Sequence, residues 1–218
     1  IYYQVINPRT RKYQFSTKSK TIYKTFTRDQ EEEFKSKRSL KTEGNAYSFY
    51  PKSIEFLSTG DIMFVSEQKY RTENSFIDPK NKREIFTYSY YYKDLFLALG
   101  DENGNMQWTK RLYKDQFSRN DKGIYSSINV FNGSNNIRIF YNDHKANIKN
   151  KPSHKTKQLK NSIDKKPKGT AVVASVFKDG NPIKDKLFDG DYKKHVMYTK
   201  TINKHNGRYY FCAQEKNI

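Results

Sequence analysis

One pattern occurs three times along this chain and limits the folds open to it: an alternating apolar strand, a glycine turn, a second strand, then polar and acidic residues. The copies span residues 47–69, 124–145 and 196–216. Their turn glycines are Gly60, Gly133 and Gly207, and the two intervals between them are nearly equal. A fixed spacing of this kind is typical of repeat proteins, in which each copy buries its faces by stacking on the next.

A second hairpin lies between successive copies, at residues 94–112 and again at 171–188. Its tips carry Asn103-Gly104 and Asp179-Gly180, dipeptides that tolerate the positive φ of two-residue turns. Each repeat therefore contains four antiparallel strands, which is the plan of a propeller blade. The predicted strands are 54–58, 62–67, 94–99 and 106–112, then 125–131, 137–142, 171–177 and 183–188, then 197–203 and 208–214.

The predicted fold is all-β: a partial β-propeller of four-stranded antiparallel blades with a repeat of about 73–76 residues. Residues 47–218 hold two full repeats and half of a third. Residues 1–46 fit the period poorly and stay unassigned, although 1–6 and 12–15 are compatible with strands of a preceding blade and 29–34 with a charged insertion. Because propellers close with about 4–8 blades, we expect the chain to be an excerpt of a longer protein.

A family resemblance accompanies the repeat. The pattern formed by Leu97, Ala98, Leu99, Asn103, Gly104 and Trp108 resembles the outer hairpin of quinoprotein-type propeller repeats. Tyr141-Asn142-Asp143 resembles strand endings in extracytoplasmic propeller proteins of Bacteroidota, whose composition rich in Lys, Asn, Ile and Tyr this chain shares. The resemblance implies a propeller scaffold and an accessory role in outer-membrane machinery, such as the plug subunit of the type IX secretion translocon.

Charge is strongly unbalanced, with 42 basic and 23 acidic residues and a net charge of +19. Part of it lies in a lysine segment, residues 145–168, whose members include Lys149, Lys151, Lys155 and Lys157. This segment either contacts an acidic partner, lipid phosphates or nucleic acid, or is a solvated loop. Because it lacks interleaved aromatic residues and arginines that stack on bases, nucleic acid is the weakest of these partners.

The corresponding point of the first repeat carries a different insertion, residues 70–93, and insertions at matching points are expected on one binding face. Just before the next strand stand Tyr88, Tyr90, Tyr91 and Tyr92. Tyrosines of this kind suit a protein interface or a sugar platform. Alternatively, Tyr90 and Tyr92 face a neighbouring blade.

Two acids, Glu67 and Asp143, end corresponding strands of the first and second repeats. At equivalent positions of a ring they would line a shared mouth, and paired carboxylates are what glycoside hydrolysis requires. The alternative is that they cap backbone amides or pair with lysines of a neighbouring blade. Since no nucleophile with a base stands out, the second interpretation is favoured.

No cofactor or metal is predicted. None of the four histidines has the spacing of a helical zinc site, and the loop from Asp101 to Asn105 is better explained as a hairpin turn than as a calcium loop, since Leu112 stands at its twelfth position. Cys212 is expected to be a small buried hydrophobe. No run of about 18 apolar residues is present, and no signal peptide is visible.

These observations together predict a non-catalytic propeller that presents loops to a protein partner, located in the periplasm or at the outer membrane. The sharper expectation, an accessory subunit of an outer-membrane or cell-surface secretion complex, follows from the resemblance. The alternative is a secreted propeller that binds glycans or hydrolyses them, the enzyme then being a glycosidase.

Overall fold

The computed structural model describes residues 49–103, 105–133, 135–149, 155–160, 169–187 and 195–215. The predictions for residues 1–46 and for Lys151 lie outside these ranges.

Strands are the main regular structure of the described residues, which also include two short 3₁₀ helices, Lys145–Asn147 and Thr199–Thr201. The predicted all-β class is confirmed. The strands are β1 Phe49–Phe56, β2 Ile62–Ile77, β3 Glu84–Gly100, β4 Met106–Leu112, β5 Gln116–Arg119, β6 Asn129–Asn132, β7 Asn136–His144, β8 Leu159–Lys160, β9 Gly169–Phe177, β10 Pro182–Lys186, β11 His195–Met197, β12 Asn203–His205, β13 Arg208–Tyr210 and β14 Ala213–Glu215.

The strands form two main sheets and a third, shorter unit. In the first sheet β1, β2, β3 and β4 pair antiparallel in chain order, and β3 also pairs with β5, which lies parallel to β8. The second sheet has the order β6-β7-β9-β10. In the third unit β11 pairs with β14 and β12 with β13. Each main sheet thus contains the predicted four-stranded meander, and no closed ring is formed by the described strands.

The sheets stack face to face. Alternate residues of each strand point to opposite sides of its sheet, and stacking buries the apolar side chains of the facing sides. Between the first and second sheets lies the larger core, formed by Leu57, Met63, Val65, Leu95, Leu97, Leu99, Leu112, Ile128, Ile137, Ile139, Tyr141, Val172, Ala174 and Val176. The opposite face of the second sheet packs its Phe140 and Ala171 against Met197 and Ile202 of the third unit. The second sheet is therefore covered on both faces.

Hydrogen bonds join residues about one repeat apart. The Asn132 side chain donates to the Phe56 carbonyl, and Lys204 Nζ donates to the Asn132 carbonyl at 2.6 Å. The Tyr125 and Tyr198 hydroxyls lie 3.3 Å apart. The repeat seen in the sequence is therefore a spatial repeat of neighbouring units.

The strand predicted at 125–131 is wrong over its first half, because β6 begins only at Asn129. Gly123 and Ser127 have positive φ values of 66° and 76°, which interrupt an extended chain. Side chains from neighbouring strands bind the freed backbone: Gln116 Oε1 accepts from the Ser127 amide at 2.8 Å, and Asn142 Nδ2 donates to the Tyr125 carbonyl at 2.8 Å. The predicted strand 197–203 is likewise broken, by the second 3₁₀ helix.

Cys212 is exposed, which corrects the expectation of a buried thiol. The strand predicted at 208–214 is split into β13 and β14, and Cys212 lies in the gap between them. Its side chain is therefore not held on the core face of a continuous strand.

Candidate functional site

Residues 70–93, predicted as an insertion, are a continuation of the first sheet. β2 and β3 stay paired from Lys69–Tyr92 out to Ile77–Glu84, and the turn closes where the Lys82 amide donates to the Asp78 carbonyl at 2.8 Å. β5 pairs with β3 along this stretch, and β8 of the lysine segment pairs with β5. We call this four-stranded extension, residues 69–93, 116–119 and 159–160, the arm sheet; it brings both predicted insertions together.

Register divides the arm sheet into two faces. Tyr70 pairs with Tyr91, Tyr91 with Phe117, and Phe117 with Lys160, so these four side chains share the face that we call the outer face. The rings of Tyr70 and Tyr91 stack with centroids 4.6 Å apart, and those of Tyr91 and Phe117 lie 5.1 Å apart. An aromatic ladder therefore crosses three strands and stiffens the base of the arm.

The other face, the inner face, contacts the body of the protein at its base. Gln116, Ser118 and Leu159 are buried there, and Gln116 Nε2 donates to the Asn142 carbonyl of the second sheet at 2.6 Å. Tyr92 packs against Gly123, where an added Cβ would lie 2.6 Å from the tyrosine ring. Burial, together with the nearby charge of Glu67, raises the pKa of the Tyr92 hydroxyl.

The predicted tyrosine cluster is thus split between the two faces. Tyr91 lies on the outer face, whereas Tyr88, Tyr90 and Tyr92 alternate with it and lie on the inner face. The ring faces have partners within the chain: Tyr91 contacts two aromatic rings, and the Arg71 guanidinium lies 5.2 Å from the Tyr88 ring centroid. A sugar platform requires open ring faces, so this arrangement does not support one at Tyr91 or Tyr88.

The free end of the arm carries four exposed apolar side chains, two on each face. Phe76 and Ile85 pair on the outer face and are 54% and 39% exposed. Ile77 and Phe86 lie on the inner face and are 66% and 45% exposed. Large apolar side chains grouped at the end of a protruding element mark an interaction surface.

The lysine segment is anchored at both described parts. Asn147, which is buried, donates to the Lys157 carbonyl at 2.7 Å and accepts from the Lys157 amide at 2.9 Å. Leu159 is buried against Gly169. The side chains of Lys149, Lys155 and Lys157, by contrast, are exposed. The described parts of the segment, residues 145–149 and 155–160, therefore present cations from an anchored backbone beside the arm sheet.

Six charged side chains are buried around the interface of the first and second sheets: Glu67, Asp94, Arg111, Lys114, Asp143 and Lys184. Register places Arg111, which binds Asp94, on the face of the first sheet opposite to Leu95 and Leu112, whereas the other four lie on the side of the second sheet. Three are acidic and three basic, so the formal charges cancel. Lys114 Nζ lies 2.7 Å from Glu67 Oε1, Arg111 Nε donates to Asp94 at 2.9 Å, and Lys184 Nζ lies 3.7 Å from Asp143. Pairing offsets the cost of removing these charges from water.

Glu67 and Asp143 are fully enclosed, which corrects the expectation that they line an open mouth. They are also not at equivalent positions. Leu97 pairs with Val65, whereas its repeat counterpart Val173 pairs with Phe140. The structural offset along β2 and β7 is therefore one residue shorter than the separation of the two acids in the sequence.

With this offset the counterpart of Glu67 is Asn142. Glu67 shares a face with Val65 and points from the first sheet toward the second, and Asp143 shares a face with Tyr141 and points back. The two acids meet in one inter-sheet space. The capping interpretation holds for Asp143, whose carboxylate accepts from the His144 amide at 2.8 Å. The lysine partners, however, belong to the same unit as each acid and not to a neighbouring blade: Lys114 follows β4 of the first sheet, and Lys184 lies on β10 of the second.

Burial dominates the protonation of this cluster. Desolvation raises the pKa of Asp143 to about 6, in spite of the nearby Lys184 charge, and it also raises the pKa of Asp94. The same burial lowers the pKa of the Lys184 ammonium. Beside Asp143, the Tyr141 hydroxyl is buried with no hydrogen-bond partner among the described residues, and its pKa is well above its ordinary value. Glu67 and Asp143 have no solvent-exposed surface in the described structure.

The other residues considered for metal binding have structural roles in the part of the chain that the structure describes. His144 accepts from the Ala146 amide at 3.1 Å and caps a 3₁₀ helix, and Asp101 accepts from the Asn103 and Asn105 amides inside its turn. Within the described ranges no group of three metal-ligating side chains occurs. The helices described are not long and apolar enough to cross a membrane.

Comparison of the chain with protein-family models, with curated proteins and with solved structures finds no match.

Sequence reasoning missed Phe117, Arg119 and the apolar end of the arm. For the arm a partial signal was present in residues 86–90, where Phe86, Tyr88 and Tyr90 alternate with Thr87 and Ser89; residues 69–77 show no such alternation. Without an apolar core face, however, this alternation resembles that of a polar loop.

Proposed function

We propose that this protein is a non-catalytic interaction protein built of β-propeller blades, and that it serves as an accessory subunit of an outer-membrane or cell-surface complex, including a secretion complex. The proposal places it in the periplasm or at the outer membrane. The observation that carries it is the arm sheet, in which two insertions and a linker combine into one exposed structure with an apolar end.

The blade assignment rests on the direction in which equivalent residues face. Val65 and Leu97 of the first sheet face the second sheet, and their counterparts Phe140 and Val173 face the third unit. In a propeller, equivalent residues of every blade face the next blade. In a closed two-sheet sandwich, by contrast, the core faces of the two sheets would face each other. The ring itself remains part of the proposal.

The partner contact is assigned to the free end of the inner face. Ile77 and Phe86 are exposed there beside Glu73, Glu84 and Arg71. An apolar centre with charges of both signs around it is the usual composition of a protein interface. A protein partner is therefore favoured for this face.

The test is photo-crosslinking in membranes of cells that make the protein. A photoreactive residue at Ile77 or Phe86 should give the same crosslinked membrane-complex protein. The variant Ile77→Ser with Phe86→Ser should lose co-purification of that protein.

Ile183 supplies the matched control, because it is 55% exposed and lies on β10, away from the arm. A photoreactive residue there should give no such product. A chain that is a monodisperse monomer and never co-purifies with a membrane complex would contradict the proposal, as would equal crosslinking from Ile183.

The alternative, a glycan-binding or glycoside-hydrolysing propeller, stays a prediction. The enclosed Glu67 and Asp143 and the occupied tyrosine rings give it no support.

A further inference from the structure

The outer face of the arm sheet contains no carboxylate among its described residues. It consists of Tyr70, Thr72, Asn74, Phe76, Ile85, Thr87, Ser89, Tyr91, Lys93, Phe117, Arg119 and Lys160. Both acids of the paired arm strands, Glu73 and Glu84, lie on the inner face. Two further acids border this face: Asp115 is buried and bound to Lys93 at 2.6 Å, and Asp78 lies in the turn at the free end, where its carboxylate accepts from the Lys80 amide at 2.9 Å. The register of the paired arm strands therefore places their acidic side chains on the inner face only.

Cations border the aromatic ladder on this face. Lys93 Nζ lies 5.7 Å from the Tyr91 ring centroid, and the Arg119 guanidinium lies 5.8 Å from that of Phe117. Lys160 is exposed on the adjacent strand, which belongs to the lysine segment. Aromatic rings with a polar rim of long basic side chains match the boundary between lipid headgroups and acyl chains.

The shape of the face narrows the choice of partner. Four neighbouring strands at about 4.8 Å spacing and up to nine residues at about 3.3 Å rise give a broad, shallow surface rather than a groove. Its rings stack on one another, so they offer no open faces to nucleic-acid bases. A second copy of this chain would bring two charges of +19 together, which disfavours self-association.

We propose that the outer face of the arm sheet binds the surface of a lipid bilayer that contains anionic phospholipids. Phe76, Ile85 and the edges of Tyr70, Tyr91 and Phe117 contact the interfacial layer, while Arg119 and Lys160 contact lipid phosphates. This inference does not depend on the protein partner proposed above, because that contact uses the inner face.

The test is co-sedimentation of the 218-residue chain with phosphatidylcholine vesicles prepared with and without phosphatidylglycerol. Binding is expected only with phosphatidylglycerol, and it should weaken as salt screens the charges. Arg119→Gln with Lys160→Gln should lower the partition coefficient roughly thirtyfold, from about 1 kcal/mol per cation near a charged surface. Lys186→Gln with Lys200→Gln, at exposed positions outside the arm, leaves the same net charge and should bind as the unmodified chain does.

A second pair of variants tests which face binds. Phe76→Ser with Ile85→Ser should reduce binding at least tenfold, whereas Ile77→Ser with Phe86→Ser, the same residue types on the opposite face, should not. Equal loss in both pairs would overturn the assignment to one face. Equal loss in the Lys186 and Lys200 variant would show attraction by net charge alone, and equally tight binding to single-stranded oligothymidylate would show a general affinity for phosphate chains.

Absence of phosphatidylglycerol-dependent binding would overturn the inference outright. This failure is distinct from failure of the proposed function, which is measured by crosslinking from Ile77 and Phe86.

Discussion

Glu67 shows how a single carboxylate holds neighbouring sheets together. It lies 2.7 Å from Lys114 Nζ and 3.4 Å from Lys52 Nζ, and it accepts from the Ser127 hydroxyl at 2.6 Å. Lys114 belongs to the linker after β4, and Ser127 lies just before the second sheet. One buried side chain therefore connects three separate segments.

Glu67→Gln is expected to destabilise the fold by about 3–5 kcal/mol, because it leaves the buried Lys114 ammonium without its counter-charge. The double variant Glu67→Gln with Lys114→Met should recover most of this loss. Urea unfolding measures both. Glu73→Gln, on the exposed arm, is the control and should change the free energy of unfolding by less than about 0.5 kcal/mol; an equal loss there would contradict the explanation.

Asp143 should make stability fall as the pH rises. Its pKa is about 6 in the fold and 3.8 as the ordinary value, so between these the folded chain retains a proton that the unfolded chain has released. The free energy of unfolding therefore decreases from about pH 4 to about pH 6 and is lower by about 3 kcal/mol above it.

Asp143→Asn should remove this part of the pH dependence, measured by urea unfolding between about pH 4 and pH 7. A residual slope is expected from Asp94, whose pKa is also raised by burial. A variant whose slope equals that of the unmodified chain would show that Asp143 is ionised throughout.

At the scale of elements, the arm is held extended by side-chain contacts across its strands. The Tyr70–Tyr91–Phe117 ladder joins β2, β3 and β5, and cross-strand pairs of this kind contribute about 0.2–1 kcal/mol each. The arm therefore has its own local stability, partly independent of the cores between the sheets.

Tyr91→Ser should loosen the arm without unfolding the body. Two ring contacts are lost, so amide hydrogen exchange at residues 70–74 should accelerate roughly tenfold, while exchange at 137–141 stays unchanged. Ile85→Ser, which removes no ladder contact, serves as the control. Faster exchange throughout the chain in Tyr91→Ser would mean that the arm and the body unfold together.

On the scale of the whole molecule, stability should pass from one unit to the next through the covered faces of the second sheet. Phe140 is buried and contacts the rings of Phe131 and Tyr209. Tyr209 belongs to the third unit, so Phe140 joins two units of the repeat.

Phe140→Ala should destabilise the chain by about 3–5 kcal/mol. The first effect should be loss of hydrogen-exchange protection at residues 203–210, before any change at 62–68. Phe177→Ala, at a side chain 38% exposed on β9, should cost less than about 1 kcal/mol. Simultaneous loss of protection in all units would contradict unit-by-unit stacking.

Local features of the chain were enough to predict the all-β class and the four-stranded meander of each main sheet. β4 begins and ends where its alternation and the preceding Asn-Gly turn placed it, and the hairpin closed by Gly60 has the positive φ, 84°, that its glycine indicated. Both depend on neighbours in sequence, since side chains alternate with a period of two and turn residues act through their own φ.

Which residues face each other was decided only by tertiary structure. Glu67 and Asp143 match when the repeats are aligned by sequence, but loops of unequal length shift the register by one residue, and such a shift reverses the face of a strand. The exposed strands of the arm could not be recognised for the same reason. No local feature of the sequence indicates which face of a polar strand contacts the body of the protein. The all-β class and the repeated meander were thus properties of the sequence, while the buried ion cluster and the two-faced arm result from long-range pairing.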